Sequence, residues 1–181
     1  MRVITGSARG RRLAAPTGRD TRPTSELVKE AVFSMIQFEV ESARVLDIFA
    51  GSGQMGIEAL SRGASSCVFI ENAKSAWQVL LANLEHTGFA DKSKLIKNDA
   101  AAFLLNASGP FDVAFLDPPY RSKLLAKTLP LTAAVMRENG VIITETDIGE
   151  DIPEKAGEFS LYRSYTYGKT KIAQYRRETG E

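Results

Sequence analysis

The chain has 181 residues, 44% of them hydrophobic and 25% charged, with a formal net charge of +1. That length can bury the core of one generous domain, and the balance excludes disordered and fibrous classes. No stretch approaches about 18 uncharged apolar residues, and Met1-Arg-Val-Ile-Thr-Gly6 lacks the apolar core of a secretion signal. A cytoplasmic protein without a membrane span is therefore expected. One cysteine, Cys67, and one histidine, His86, exclude a disulfide framework and argue against a structural zinc or other metal. Cys67 lies in the apolar run Cys-Val-Phe-Ile70 and reads as a buried small hydrophobe, while His86, just before Gly88, reads as a helix-end residue.

The charge is unevenly placed. From Met1 to Arg22 the arginines at 2, 9, 11, 12, 19 and 22 face the single acid Asp20, a local balance of +5, so the remainder sums to −4. A basic arm on a mildly acidic body suits attraction to a phosphate backbone, and the arginine fork favours phosphate oxygens over a merely solvated tail.

Taken in order, Val3–Thr5 and Leu13–Ala15 can pair as a hairpin across Gly6–Gly10. Arg22-Pro23-Thr24-Ser25 reads as a helix entry, with Leu27, Val28, Ala31, Val32, Met35 and Ile36 as one apolar face. Residues 1–40 thus form an appendage, and 41–181 the main domain. From Ala43 strands and helices alternate. The strands are Arg44–Phe49, Ser66–Glu71, Lys94–Lys97, Phe111–Asp117 and Gly140–Thr146. The intervening helices are Gln54–Arg62, Lys74–Glu85, Ala100–Asn106 and Lys123–Met136. Phe159–Tyr167 and Lys171–Arg176, separated only by a turn, predict an antiparallel hairpin on the edge of the sheet. The fold class is α/β, a doubly wound Rossmann-like sheet, mostly parallel, with helices on both faces.

Two segments carry chemistry. Asp47-Ile-Phe49-Ala-Gly51-Ser52-Gly53 is a strand end and glycine turn before a helix, a place where a ligand can approach the backbone closely. Gly51–Gly56 spells G-x-G-x-x-G, with Glu71 ending the next strand, so a dinucleotide site is a serious rival. Asp47, four residues before Gly51, would crowd a pyrophosphate but suits a cationic amino-acid moiety. S-adenosylmethionine fits better, with Glu71 accepting from the ribose hydroxyls and Asp99 from the adenine amine. A helix cap is the bland alternative for both acids. The second segment is Asp117-Pro118-Pro119-Tyr120, which closes an apolar strand. The residue before a proline is held extended, and the prolines leave carbonyls as the only main-chain hydrogen-bonding groups. Two acceptors beside an aromatic plate suit a planar substrate with an exocyclic amine.

These residues resemble the class I S-adenosylmethionine-dependent methyltransferases of the Asp/Asn-Pro-Pro-Tyr type. More narrowly, the chain resembles the bacterial 16S rRNA guanine-N2 methyltransferases, the RsmD family. Met1–Gly6, Arg9-Gly-Arg-Arg12, Arg22-Pro-Thr24, Asp47–Gly53, Gly56–Ala64, Asp117–Tyr120 and Tyr167-Gly-Lys-Thr170 carry the likeness over nearly the whole length. Gln54-Met55 departs where a small apolar pair is usual, and Ile48 where leucine is commoner. The resemblance implies a seven-stranded sheet and methyl transfer to a guanine N2 in 16S rRNA, with no metal. Asp117, Pro118 and Tyr120 would then be catalytic. Asp47, Phe49, Gly51, Ser52, Gly53, Glu71, Asn72, Asp99 and Ala100 would hold the cofactor. Arg9, Arg11, Arg12, Arg22, Thr24 and Lys169 would meet RNA, in the small ribosomal subunit or an assembly intermediate, with the enzyme a monomer. An adenine-N6 methyltransferase of DNA or RNA is the alternative, although the chain has no room for a separate DNA-recognition domain.

Overall fold

The fold comes from a computed structural model, and the structure describes residues 1–16, 25–120 and 122–178. The predicted alternation appears as β1 (Arg44–Ile48), α2 (Gln54–Ser61), β2 (Ser66–Ile70), α3 (Lys74–Thr87), β3 (Ser93–Ile96), α4 (Ala100–Leu104), β4 (Phe111–Leu116), α5 (Leu124–Ala133) and β5 (Met136–Asp147). Helix α1 (Glu26–Met35) precedes them, and β6 (Lys155–Ala156), β7 (Phe159–Tyr167) and β8 (Thr170–Arg177) follow. All the strands join one sheet in the order β3-β2-β1-β4-β5-β8-β7-β6. Strands β1 to β5 run parallel, and β8 enters antiparallel between β5 and β7. Among the described residues the sheet has eight strands where seven are expected. The extra one is the two-residue β6, which pairs only with Phe159 and Ser160 and has no apolar run to announce it.

The apolar runs of the central strands follow from burial on both faces. Val45, Val113, Phe115 and Ile143 pack with Val32 and Phe33 of α1, Ile57 of α2 and Leu80 of α3. Leu46, Ile48, Ala114 and Leu116 pack on the other face with Leu104 of α4 and with Leu125 and Leu129 of α5. The predicted fifth strand was too short because Arg137, Glu138 and Asn139 are exposed and polar. β5 nonetheless begins at Met136, opposite Phe111, before a register shift.

The N-terminal pairing lies slightly earlier than predicted. Val3 N–H donates to the Arg11 carbonyl at 2.9 Å, Leu13 N–H to that of Met1 at 3.1 Å, and the bridge joins Arg2 with Arg12. The cause is Glu58 of α2, whose carboxylate takes the N–H groups of Ile4 (2.8 Å) and Thr5 (3.0 Å) away from any ladder. Glu58 also accepts from Arg62 Nε at 2.8 Å and sits 3.4 Å from Lys29 Nζ, which donates to the Arg2 carbonyl at 2.7 Å. Ser25 caps α1, its Oγ accepting from Val28 N–H at 3.2 Å. The helix is rolled relative to the predicted face: Val28, Val32 and Ile36 are buried together with Phe33, whereas Leu27 is 68% exposed.

Candidate active site

The order of the parallel strands reverses between β1 and β4, and ligand sites of such sheets lie outside the carboxyl ends of strands at that point. A cleft of about 600 Å³ opens there, lined by the ends of β1, β2 and β4 and by the starts of α4 and α5. Phe49, Gly51 and Ser52 form its floor after β1, with Phe49 at φ 64° and Gly51 at φ 57°. A Cβ on Gly51 would meet nothing nearer than the Phe49 carbonyl at 3.9 Å, so the missing side chain leaves room on the ligand side. Gly53 and Gly56 have a different reason. A Cβ on Gly53 would lie 2.3 Å from Leu80 Cδ1, and one on Gly56 2.3 Å from Phe69 Cε1, so both are set by packing against neighbouring elements. Gly53 is not among the residues lining the cleft.

Three acids line one side of the cleft. Asp47 is buried, and its Oδ2 accepts from Gly56 N–H at 2.9 Å, tying the start of α2 to β1. Burial pushes its carboxyl up to about 7, against the Gly56 hydrogen bond, with the charge of Glu71 adding to the rise. Glu71 accepts from Gly51 N–H at 2.9 Å and from Ala73 N–H at 2.7 Å, one on each oxygen. A carboxylate oxygen has two lone pairs, so Glu71 can fix the turn and still receive ligand hydroxyls. Asp99 caps α4 through Oδ1, which accepts from Ala102 N–H at 3.0 Å, and the residue lines the cleft. The capping reading thus holds for Asp99, whereas Glu71 bonds to the turn after β1 and to the N–H of Ala73, ahead of a helix that has no side-chain cap.

On the far wall stand Asp117, Pro118 and Tyr120, at the tip of β4. Asp117 is held well above the usual carboxylate range by burial first, then by the charges of Glu145 and Asp47. Tyr120 is 40% exposed and neighbours Thr170, at the start of β8.

Comparison with known proteins agrees with this arrangement. The family described as Conserved hypothetical protein 95 matches residues 1–176. The ribosomal RNA small subunit methyltransferase D of Escherichia coli is 33% identical over 180 residues, spanning 98% of this chain and 90% of its own. The chain belongs to the family of the small-subunit rRNA methyltransferases D. A Bacillus subtilis member, provisionally named rRNA methyltransferase YlbH, is 40% identical over 182 residues, covering 98% of this chain and 99% of its own. A solved Escherichia coli structure, provisionally described as the methyltransferase yhhF, superposes with a TM-score of 0.87 at 34% identity over 98% of both chains.

The methyltransferase D fold brings Asp47, Phe49, Gly51, Ser52, Glu71, Asn72, Asp99, Ala100, Asp117, Pro118 and Tyr120 into one cleft. Of the expected RNA-facing residues, Arg9, Arg11, Arg12 and Lys169 are exposed. Arg11 also donates to the His86 carbonyl at the end of α3. Arg22 and Thr24 lie outside the described residues. Sequence reasoning missed Met1, Ala15 and Pro16, which line the cleft from the N-terminal segment, and Gln54, buried in its wall. It also missed Glu145, whose place beside Asp117 follows from the pairing of β4 with β5. An acid ending an otherwise apolar strand, Val141-Ile-Ile-Thr-Glu145, was the available signal.

Proposed function

We propose that the protein transfers a methyl group from S-adenosylmethionine to the exocyclic N2 amine of a guanine in 16S rRNA. One observation carries this reading: the Asp117-Pro-Pro-Tyr120 tip of β4 faces the same cleft as the Gly51 turn and Glu71. The donor set fits the cofactor, since Asp47 suits a cationic amino-acid end, Glu71 a ribose and Asp99 an adenine amine. When bound, S-adenosylmethionine supplies an electrophilic methyl on a sulfonium. Asp117 and the Pro118 carbonyl accept the amine's two N–H groups, which favours a pyramidal nitrogen whose lone pair is released from the ring. Such preorganised contacts are worth on the order of 3–4 kcal/mol each. Positive charge growing on nitrogen is stabilised by Asp117, whose raised basicity also suits it to take the departing proton. Stacking on Tyr120 contributes roughly 1–3 kcal/mol and offsets the unstacking of the base.

The acceptors suit adenine and guanine amines alike. The small-subunit methyltransferase D names of the relatives support rRNA, and the resemblance of the N-terminal block supports guanine N2. In this reading residues 1–40 act as the RNA-binding appendage and the substrate is a small-subunit particle or assembly intermediate. The enzyme works as a cytoplasmic monomer. No described helix is long and apolar enough to cross a membrane. Incubating unmodified small subunits with labelled S-adenosylmethionine, then separating the nucleosides, tests the reading. Label is expected in N2-methylguanosine; label in N6-methyladenosine, or only in added DNA, would overturn it.

A further inference from the structure

Strand β7 breaks the rule followed by the rest of the sheet. Tyr162 through Thr166 are all exposed, so no described helix covers either face there. β6 pairs only with Phe159 and Ser160, and no described strand pairs with the outer edge beyond them. Two large aromatics sit on this bare stretch, Tyr162 at 54% and Tyr165 at 38% exposure. The register shifts between Leu161, opposite Tyr175, and Arg163, opposite Gln174, so Tyr162 is the extra residue of a bulge. Bulges re-aim a side chain, and this one sets the Tyr162 ring beside the cations, with the guanidinium of Arg163 4.9 Å and that of Arg176 5.9 Å from its centroid.

This surface continues the catalytic wall. β7 ends at Tyr167, opposite Thr170, and Thr170 neighbours Tyr120. At a rise of about 3.3 Å per residue, Tyr165 lies roughly 7 Å and Tyr162 roughly 17 Å along the strand from Tyr167, a span that a few nucleotides can follow. Exposed Lys169 stands at the turn between.

We infer that the bare stretch Tyr162–Tyr165 of β7 is a stacking platform for single-stranded rRNA flanking the target guanine, with bases on Tyr162 and Tyr165 and a phosphate on Arg163. The inference rests on the rRNA methyltransferase reading and extends it to a surface outside the cleft. A base offers a flat face to each ring whatever its identity, and arginine between the rings matches the intervening phosphate.

The test compares wild type with the double variant Tyr162→Ala/Tyr165→Ala, its Phe counterpart and Arg163→Ala. It reads KM and kcat on small-subunit particles and Kd for protein-free 16S RNA. The Ala pair should raise KM and Kd roughly tenfold or more, with kcat and S-adenosylmethionine affinity unchanged. The Phe pair should behave as wild type, and Arg163→Ala should flatten the salt dependence of RNA binding by about 0.7 log units of slope. Unchanged KM and Kd in the Ala pair would overturn the inference. So would a raised particle KM with unchanged affinity for protein-free RNA, since the partner would then be a ribosomal protein. A wild type that labels no rRNA defeats the methyltransferase reading, while lost RNA affinity in the Ala pair would still uphold the platform.

Discussion

Helix α2 meets two buried acids that are treated in opposite ways. Glu58, within it, is wholly buried and answered on every side by Lys29, Arg62 and the N–H groups of Ile4 and Thr5. Asp47, at its start, receives Gly56 N–H and faces further acids across the cleft, Asp117 among them, so burial keeps both protonated to higher pH than usual. A compensated acid locks elements together, here the N-terminal segment, α1 and α2. An under-compensated acid is destabilising alone and becomes favourable when a cation or a hydrogen-bond donor arrives. The contrast separates structure from function more sharply than burial does, because Glu58 and Asp47 are both buried.

The largest expected effect lies at the compensated acid. Glu58→Ala strands Lys29, already lowered from its ordinary value by burial, and releases two backbone N–H groups. Removing one partner of a buried pair costs about 3–5 kcal/mol. Urea denaturation should show a loss of that size, and a loss under about 1 kcal/mol would end the locking role.

Next in size is the pH response of Asp47. Its folded value of about 7 lies above that of the unfolded chain, near 3.8, so the folded protein holds the proton longer. The stability this provides is complete in acid and is lost as pH rises through about 7. Cofactor affinity runs the other way if the ionised form receives the cationic end. It should rise roughly eightfold from pH 6 to 7.5, and Asp47→Asn should flatten the profile. Calorimetry across that range decides it, and a flat wild-type profile would remove Asp47 from cofactor binding.

The smallest effects belong to the exposed arginines of the N-terminal arm. Neutralising Arg9 and Arg12 together should reduce the salt slope of rRNA binding by roughly 0.7–0.9 log units per lost contact. Arg11 is the discriminating control. Its bond to the His86 carbonyl gives it a structural partner, so Arg11→Ala should also lower the melting temperature.

Much of this was legible in the sequence, for physical reasons. Doubly buried strands need near-continuous apolar runs, and Val45–Ile48, interrupted only by Asp47, and Val113–Leu116 supply them, so the parallel sheet and its strand ends could be read. Residues placed at strand ends inherit that legibility, as Asp47, Glu71 and Asp117 did. What failed depended on partners distant in sequence. The hairpin register was set by Glu58, the roll of α1 by where Phe33 could be buried, and β6 by two backbone pairings that need no particular side chain. Met1, Ala15 and Pro16 entered the cleft only because Glu58 and Asn83 hold their segment there, Asn83 through Ala14. Gly53 shows the converse. It looked like a ligand-contacting glycine, and the space it spares is filled by Leu80.

If Asp117 is kept under-compensated for chemistry, Asp117→Asn should separate activity from stability. Turnover on small-subunit particles and the melting temperature are determined on the same preparation. The amide keeps the shape and removes the charge crowded by Glu145 and Asp47. The kcat should fall by about 10² or more, with cofactor affinity little changed and the melting temperature equal to or above that of wild type. Turnover near wild type, or a fold weakened as it would be by the loss of Glu58, would contradict it.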